Sequence, residues 1–235
     1  KDGREIVTYG TVLLSLSVGA SLLQWLFHSF AGRGLGPAAY GAFTAALSVF
    51  VVYVYPMAAL QMSIADRAAR HKSYIVINVS LRRDNDRLTV TSLCYGPDGC
   101  LVAQADKQTL MGHENIWFAR ATHTSEVIST PFGRLAMFPC RDGVTCETPR
   151  GLALRGAQLF CDSLNSFALD EASLHVPARA PENKVFLVAA NKIGPLIPEE
   201  LLEAVSEQTH IPLRFLNGAG ESQIVSPSGE ILARG

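Results

Sequence analysis

The chain has 235 residues, a net charge of −1 and a pI near 6.7, so it carries neither the basic excess of a nucleic-acid binder nor the acidic run of a solvating tail. Hydrophobic residues make up 48%, enough for the core of one large domain or a domain with an appendage. Five cysteines (Cys94, Cys100, Cys140, Cys146 and Cys161) form no CxxC pair, and there is no HExxH. That pattern fits neither a disulfide-stapled mini-domain nor a common zinc site, and the thiols read as free ones in a reducing compartment.

The first quarter of the chain is unlike the rest. Ile6–Gly32 contains no Asp, Glu, Lys or Arg; Arg33 interrupts, and Gly34–Ala65 is again free of them. A membrane span needs roughly 20 mostly apolar residues. Val7–Phe30 and Ala42–Tyr55 with its flanks both approach that length. Two transmembrane helices, a buried core helix plus strand, and a signal peptide are the readings this composition allows. The last is disfavoured because Val7–Phe30 is long for the apolar region of a signal and lacks a small-residue cleavage site. If both segments span, Lys1 and Arg4 before them and Arg67, Arg70 and Lys72 after them put both termini in the cytoplasm.

Past Pro56 the pattern changes. Ala58–Lys72 is amphipathic at helical spacing. Short apolar runs follow as strands: Tyr74–Ser80, Leu88–Tyr95, Cys100–Ala103 and Arg134–Phe138, with Gly96-Pro97-Asp98-Gly99 as a hairpin turn. Helices are predicted at Pro149–Leu159, Asp170–Ala180 and Pro198–Gln208, and strands at Ala157–Asp162 and Val185–Ala190. Ser222–Val225 and Glu230–Ala233 form a last hairpin. Alternating strands and helices make the class α/β. The sequon Asn78-Val79-Ser80 falls in a strand predicted to be buried. The chain does not start with Met and stops inside a strand-like run, Ile231–Gly235, so it reads as a fragment.

Residues 4–56 resemble the N-terminal end of a polysaccharide or oligosaccharide flippase. Two apolar helices there flank a predicted loop, Gly32-Arg33-Gly34-Leu35-Gly36-Pro37-Ala38-Ala39-Tyr40-Gly41. Its glycines do not have dinucleotide-binding spacing.

From about Met57 to its end the chain resembles the nitrilase superfamily of carbon–nitrogen hydrolases. The matching stretches are Thr130-Pro131-Phe132-Gly133-Arg134-Leu135-Ala136-Met137-Phe138-Pro139-Cys140, the helix-like Cys146–Ala157, the segment Ala178–Gly194 and the strand pair Gly218–Gly229. The resemblance implies an α-β-β-α sandwich, incomplete here, as a partial hydrolase domain (57–235) behind a hydrophobic segment (1–56). It implies Cys140 as nucleophile, Lys107 as the cation that stabilises developing charge, and Glu114 as an accessory carboxylate that holds the lysine. A thiol between a strand and a helix is expected to be exposed and near positive helix-end potential, both of which favour the thiolate. Glu182 and Asn183 are expected to be structural. The resemblance further implies a small-molecule amide, carbamoyl or nitrile substrate, no metal or organic cofactor, no nucleic-acid partner, and homo-oligomers in intact family members. The hydrolase part is expected in the cytoplasm, anchored to a membrane if residues 1–56 span one.

The chain departs from the family pattern. Arg141 stands where an aromatic usually follows the nucleophile, and Cys146 where a Pro is usual. The family's base Glu directly follows a strand-ending Pro; here Pro56 is followed by Met57, and no Glu lies between Glu5 and Glu114. Three functions therefore compete: an impaired carbon–nitrogen hydrolase, a membrane-tethered pseudo-enzyme or interaction module, and an enzyme like the lipoprotein N-acyltransferases.

Overall fold

The structure, a computed structural model, describes residues 23, 25–31, 33–44, 59–83, 87–112, 114–166 and 170–235. These fall into two compact units, one up to Met62 and one from Ser63 onward.

In the first unit, residues 25–31 and 33–44 are helical. The predicted loop Gly32–Gly41 is thus largely helix. Gly36 takes a left-handed φ of 74°, while the ring of Pro37 fixes its own φ near the helical value and Ala38 and Ala39 propagate the helix. The expected membrane spans Val7–Phe30 and Ala42–Tyr55 lie mostly outside the described residues. Among the described residues no helix is long and apolar enough to cross a membrane, so the expected transmembrane pair finds no support there.

The second unit begins within helix α1 (59–71), which ends at Lys72 in the left-handed region (φ 50°). Strands β1 (Ile75–Arg82), β2 (Leu88–Tyr95) and β3 (Leu101–Asp106) form an antiparallel sheet in the order β1-β2-β3. The predicted hairpin turn closes by Gly96 N–H to the Cys100 carbonyl at 2.8 Å. Asn78 is exposed on β1, contrary to expectation, because β1 lies at the edge of this sheet and buries only Val79 completely.

A second sheet has six strands. β4 (Ile128–Thr130), β5 (Gly133–Pro139), β6 (Leu159–Leu164), β7 (Phe186–Asn191), β10 (Gln223–Val225) and β11 (Ile231–Arg234) run in the order β11-β10-β7-β6-β5-β4. β5, β6 and β7 are parallel and the remaining pairs antiparallel. A two-stranded piece, β8 (Ile193–Pro195) with β9 (Asn217–Ala219), completes the strands described.

Alternation along β5 shows how the layers meet. Met137 packs with Cys94 and Ala105 of the three-stranded sheet. Ala136, Phe138 and Cys140 face the other way, into a core with Leu152 of α4 (Glu147–Leu154), Val176 and Ala180 of α5 (Val176–Asn183), Phe160 and Leu187. Phe138 and Phe160 meet edge to face, centroids 5.4 Å apart. A strand covered on both faces reads as the continuous apolar run seen in the sequence. Sheet, sheet and helix layers form the α/β stack of the expected sandwich.

Two predicted helices are corrected in extent. The Pro149–Leu159 helix is α4, Glu147–Leu154; it stops at Gly156, whose φ of 94° takes the chain out of the helix and into β6. The Asp170–Ala180 helix is a π-helical turn, Glu171–His175, running into α5.

Candidate active site

β5 delivers Cys140 to the turn before the four-residue helix α3 (Arg141–Val144). The backbone there is strained, with φ 49° and ψ −108° for a non-glycine residue. Its N–H donates to Asp162 Oδ1 at 3.1 Å, from the parallel neighbour β6, where Asp162 is in register with Phe138. The expected exposure is not seen: Cys140 is only 8% exposed, in the helix-side core beside Leu152 and Leu164. α3 is a single turn, and burial dominates. It pushes the thiol up to about 12; the Lys107 ammonium lowers it, while the Glu171 and Asp162 carboxylates raise it.

Lys107 directly follows β3 and is 2% exposed. Its Nζ donates to both oxygens of Glu114, the first residue of the one-turn α2 (Glu114–Trp117), at 2.7 and 2.8 Å, and Glu114 Oε2 also accepts the Met111 N–H at 2.7 Å. The backbone of Lys107 is fixed on both sides: its N–H donates to the Val90 carbonyl (2.8 Å), and its own carbonyl accepts from Ala121 (2.9 Å). An ammonium this deep is stable only against such a partner, because an unpaired buried charge costs several kcal/mol. The structure thus pairs Lys107 with Glu114, the two residues the resemblance linked.

What joins this pair to the cysteine turn was not evident from the sequence. Asp142, 1% exposed, accepts the Gln108 N–H through Oδ2 (2.9 Å) and the Thr109 N–H through Oδ1 (2.7 Å). One carboxylate two residues past Cys140 therefore clamps the loop that begins at Lys107. Asp162 and Glu171 were also missed. Asp162 carried a signal, a charge inside the apolar run Leu159–Leu164, since buried charges need partners. Nothing local marked Glu171. Arg179 closes α3 by donating to the Gly143 and Val144 carbonyls at 3.0 and 3.1 Å; Glu182 pairs with that guanidinium, and Asn183 Nδ2 donates to the Arg179 carbonyl at 3.0 Å. Glu182 and Asn183 are thus structural, as expected.

The turn has no spare room. A Cβ on Gly143 would stand 2.7 Å from Asp162 Oδ2 and 2.8 Å from the Phe138 ring. Gly143→Ala is expected to lower stability by about 1–3 kcal/mol, read as a lower urea midpoint at unchanged slope. Among the described residues no three His, Cys, Asp or Glu side chains are grouped to hold a metal ion.

Residues 47–235 match the family model of carbon–nitrogen hydrolases. A nitrilase of Pyrococcus abyssi is 28% identical over 165 residues, covering 70% of this chain and 56% of the relative. A bifunctional nitrilase/nitrile hydratase of Lupinus angustifolius is 28% identical over 178 residues, covering 72% and 49%. The chain thus spans about half the length of the curated relatives it matches. Among solved structures, an amidase from Nesterenkonia sp. superposes with a TM-score of 0.62 at 24% identity, covering 75% of this chain and 62% of the amidase. A form of the Nesterenkonia sp. AN1 amidase with an acetamide moiety covalently added at its active-site cysteine superposes equally well, with the same identity and coverage. These likenesses establish the fold. With the family model covering most of its length, the chain belongs to the carbon–nitrogen hydrolases of the nitrilase superfamily.

Proposed function

We propose that the chain hydrolyses a non-peptide C–N bond of a small amide, carbamoyl compound or nitrile through the Cys140 thiolate, and does so slowly. The observation that carries this is the buried Lys107–Glu114 pair tied through Asp142 to the turn that bears Cys140. In an amide, the thiolate attacks the carbonyl carbon and the Lys107 ammonium stabilises the developing oxyanion. The C–N bond breaks, the amine leaves with a proton, and water cleaves the resulting thioester. Slowness follows from Met57, which stands where the resemblance puts the base carboxylate. General base catalysis supplies about 10²–10⁴-fold, and groups that act as a unit lose more than their separate shares.

The test is ammonia release from a panel of amides, carbamoyl compounds and nitriles. Weak turnover that disappears in Cys140→Ser is the expected result. No release from any of them, or release that survives Cys140→Ser, would sink the proposal.

A further inference from the structure

We propose that Glu171 is the carboxylate that takes and returns the Cys140 proton in this chain; this rests on the reading of Cys140 as the nucleophile. Residues 6–65 contain no Asp or Glu, so any internal base must come from elsewhere in the chain. Glu171 opens the π-helical turn Glu171–His175, which packs against α3, the helix immediately after Cys140. It is 3% exposed, and its Oε2 has no hydrogen-bond partner. A buried carboxylate oxygen left unpaired costs free energy, and such atoms are rare in folded proteins. A base must keep an oxygen open for the proton it collects, and Oε2 is one.

Position and surroundings favour Glu171 over the other buried acids. Asp142 has both oxygens committed to backbone N–H groups, and Asp162 holds the Cys140 N–H. The Glu171 and Asp162 carboxylates both raise the Cys140 thiol. The groups facing it are the Ser166 hydroxyl, which hydrogen-bonds the carboxyl, the cations Arg141 and Lys107, and the acids Asp162 and Asp170. Burial holds the Glu171 carboxyl above the ordinary range, ahead of the lowering by Ser166, Arg141 and Lys107. A carboxylate with raised proton affinity is a better match for a thiol proton than an exposed one.

The step balances without a further reactant. The Cys140 S–H proton passes to Glu171 Oε2 as sulfur bonds the substrate carbon. The protonated carboxyl returns that proton to the departing nitrogen. Water then gives a proton to Glu171 while its oxygen attacks the thioester, and the released thiolate takes that proton back.

Iodoacetamide alkylation of the full chain, followed at Cys140 by peptide mass spectrometry from mildly acidic to mildly alkaline pH, tests this without needing turnover. The wild-type rate is expected to rise through an acid-side inflection set by Glu171. Glu171→Gln should lose that inflection and slow by about 10-fold or more at neutral pH. A bystander charge predicts the opposite sign: removing a carboxylate that raises the thiol would speed alkylation. A faster or unchanged rate therefore overturns the proposal. Should Glu171→Gln not fold, Glu171→Asp decides: it keeps the charge but retracts the oxygen, so it slows a base and leaves a bystander's effect unchanged. Turnover separates the two readings. Ammonia release that needs Cys140 but is untouched by Glu171→Gln overturns the role of Glu171 alone. Alkylation that depends on Glu171 in a chain releasing no ammonia supports the proton link and removes the hydrolase.

Discussion

Met57→Glu is expected to raise kcat/KM for amide hydrolysis by about 10-fold or more, less than the roughly 10²–10⁴-fold of a base supplied where none acts, because Glu171 already collects the proton. The thiol sets the demand for a base. Burial pushes it up to about 12, so very little of it is ionised at neutral pH. A carboxylate that takes the proton as the C–S bond forms avoids that costly prior ionisation. Met57 lies outside the described residues; the resemblance puts the base Glu at this position, because the family's base follows a strand-ending Pro and Met57 follows Pro56. Met57→Gln has the same length and no charge, and should give no gain. In the double variant Met57→Glu/Glu171→Gln the gain should persist, because the new carboxylate no longer needs Glu171. Equal gains from Glu and Gln, or none from either, would mean that position 57 does not reach the thiol.

The chain order of the elements was legible because most of them are long enough to show a period. β2 begins and ends at the expected residues, Leu88 and Tyr95, and the last hairpin turns at Ser226–Gly229 as its Ser-Pro-Ser-Gly composition indicates. β4, β8 and β9 were not legible: each has three residues, fewer than two full alternations, and each exists because a neighbouring strand pairs with it. Lys107 and Glu114 were found through family order, and Cys140 through the flanking strand. Their depth was not legible. Whether a strand-end thiol faces water depends on α4 and α5 closing over β5, and on a π-helical turn that opens thirty-one positions later in the chain packing against α3. Periodicity reports which residues share a face of one element. It does not report which carboxylates from three different elements converge.

Asp142→Ala is expected to cost more stability than any surface change, and to cost activity as well. The substitution leaves the Gln108 and Thr109 N–H groups without the acceptors they now have at 2.9 and 2.7 Å. A fully buried donor left unpaired costs about 1–3 kcal/mol, but Gln108 and Thr109 are only half-buried and water can partly replace the carboxylate, so the pair costs about 1–3 kcal/mol, still a sizeable part of the 5–15 kcal/mol that holds a typical domain together. Part of this is offset, because burial already holds the Asp142 carboxyl above its ordinary range and its removal relieves that. Asp142→Asn separates the two effects. It removes the charge and keeps one carbonyl oxygen, but its amide N–H₂ confronts the second backbone donor. Stability should therefore fall in the order wild type, Asn, Ala, read as urea midpoints. Activity carries the sharper information. If Asp142 positions Lys107 for the oxyanion, kcat should fall in both variants while KM changes little, because the lysine acts on charge that exists only in the transition state. Variants that lose stability but keep kcat under conditions where they remain folded would show that the clamp holds the fold and leaves the placement of Lys107 to Glu114.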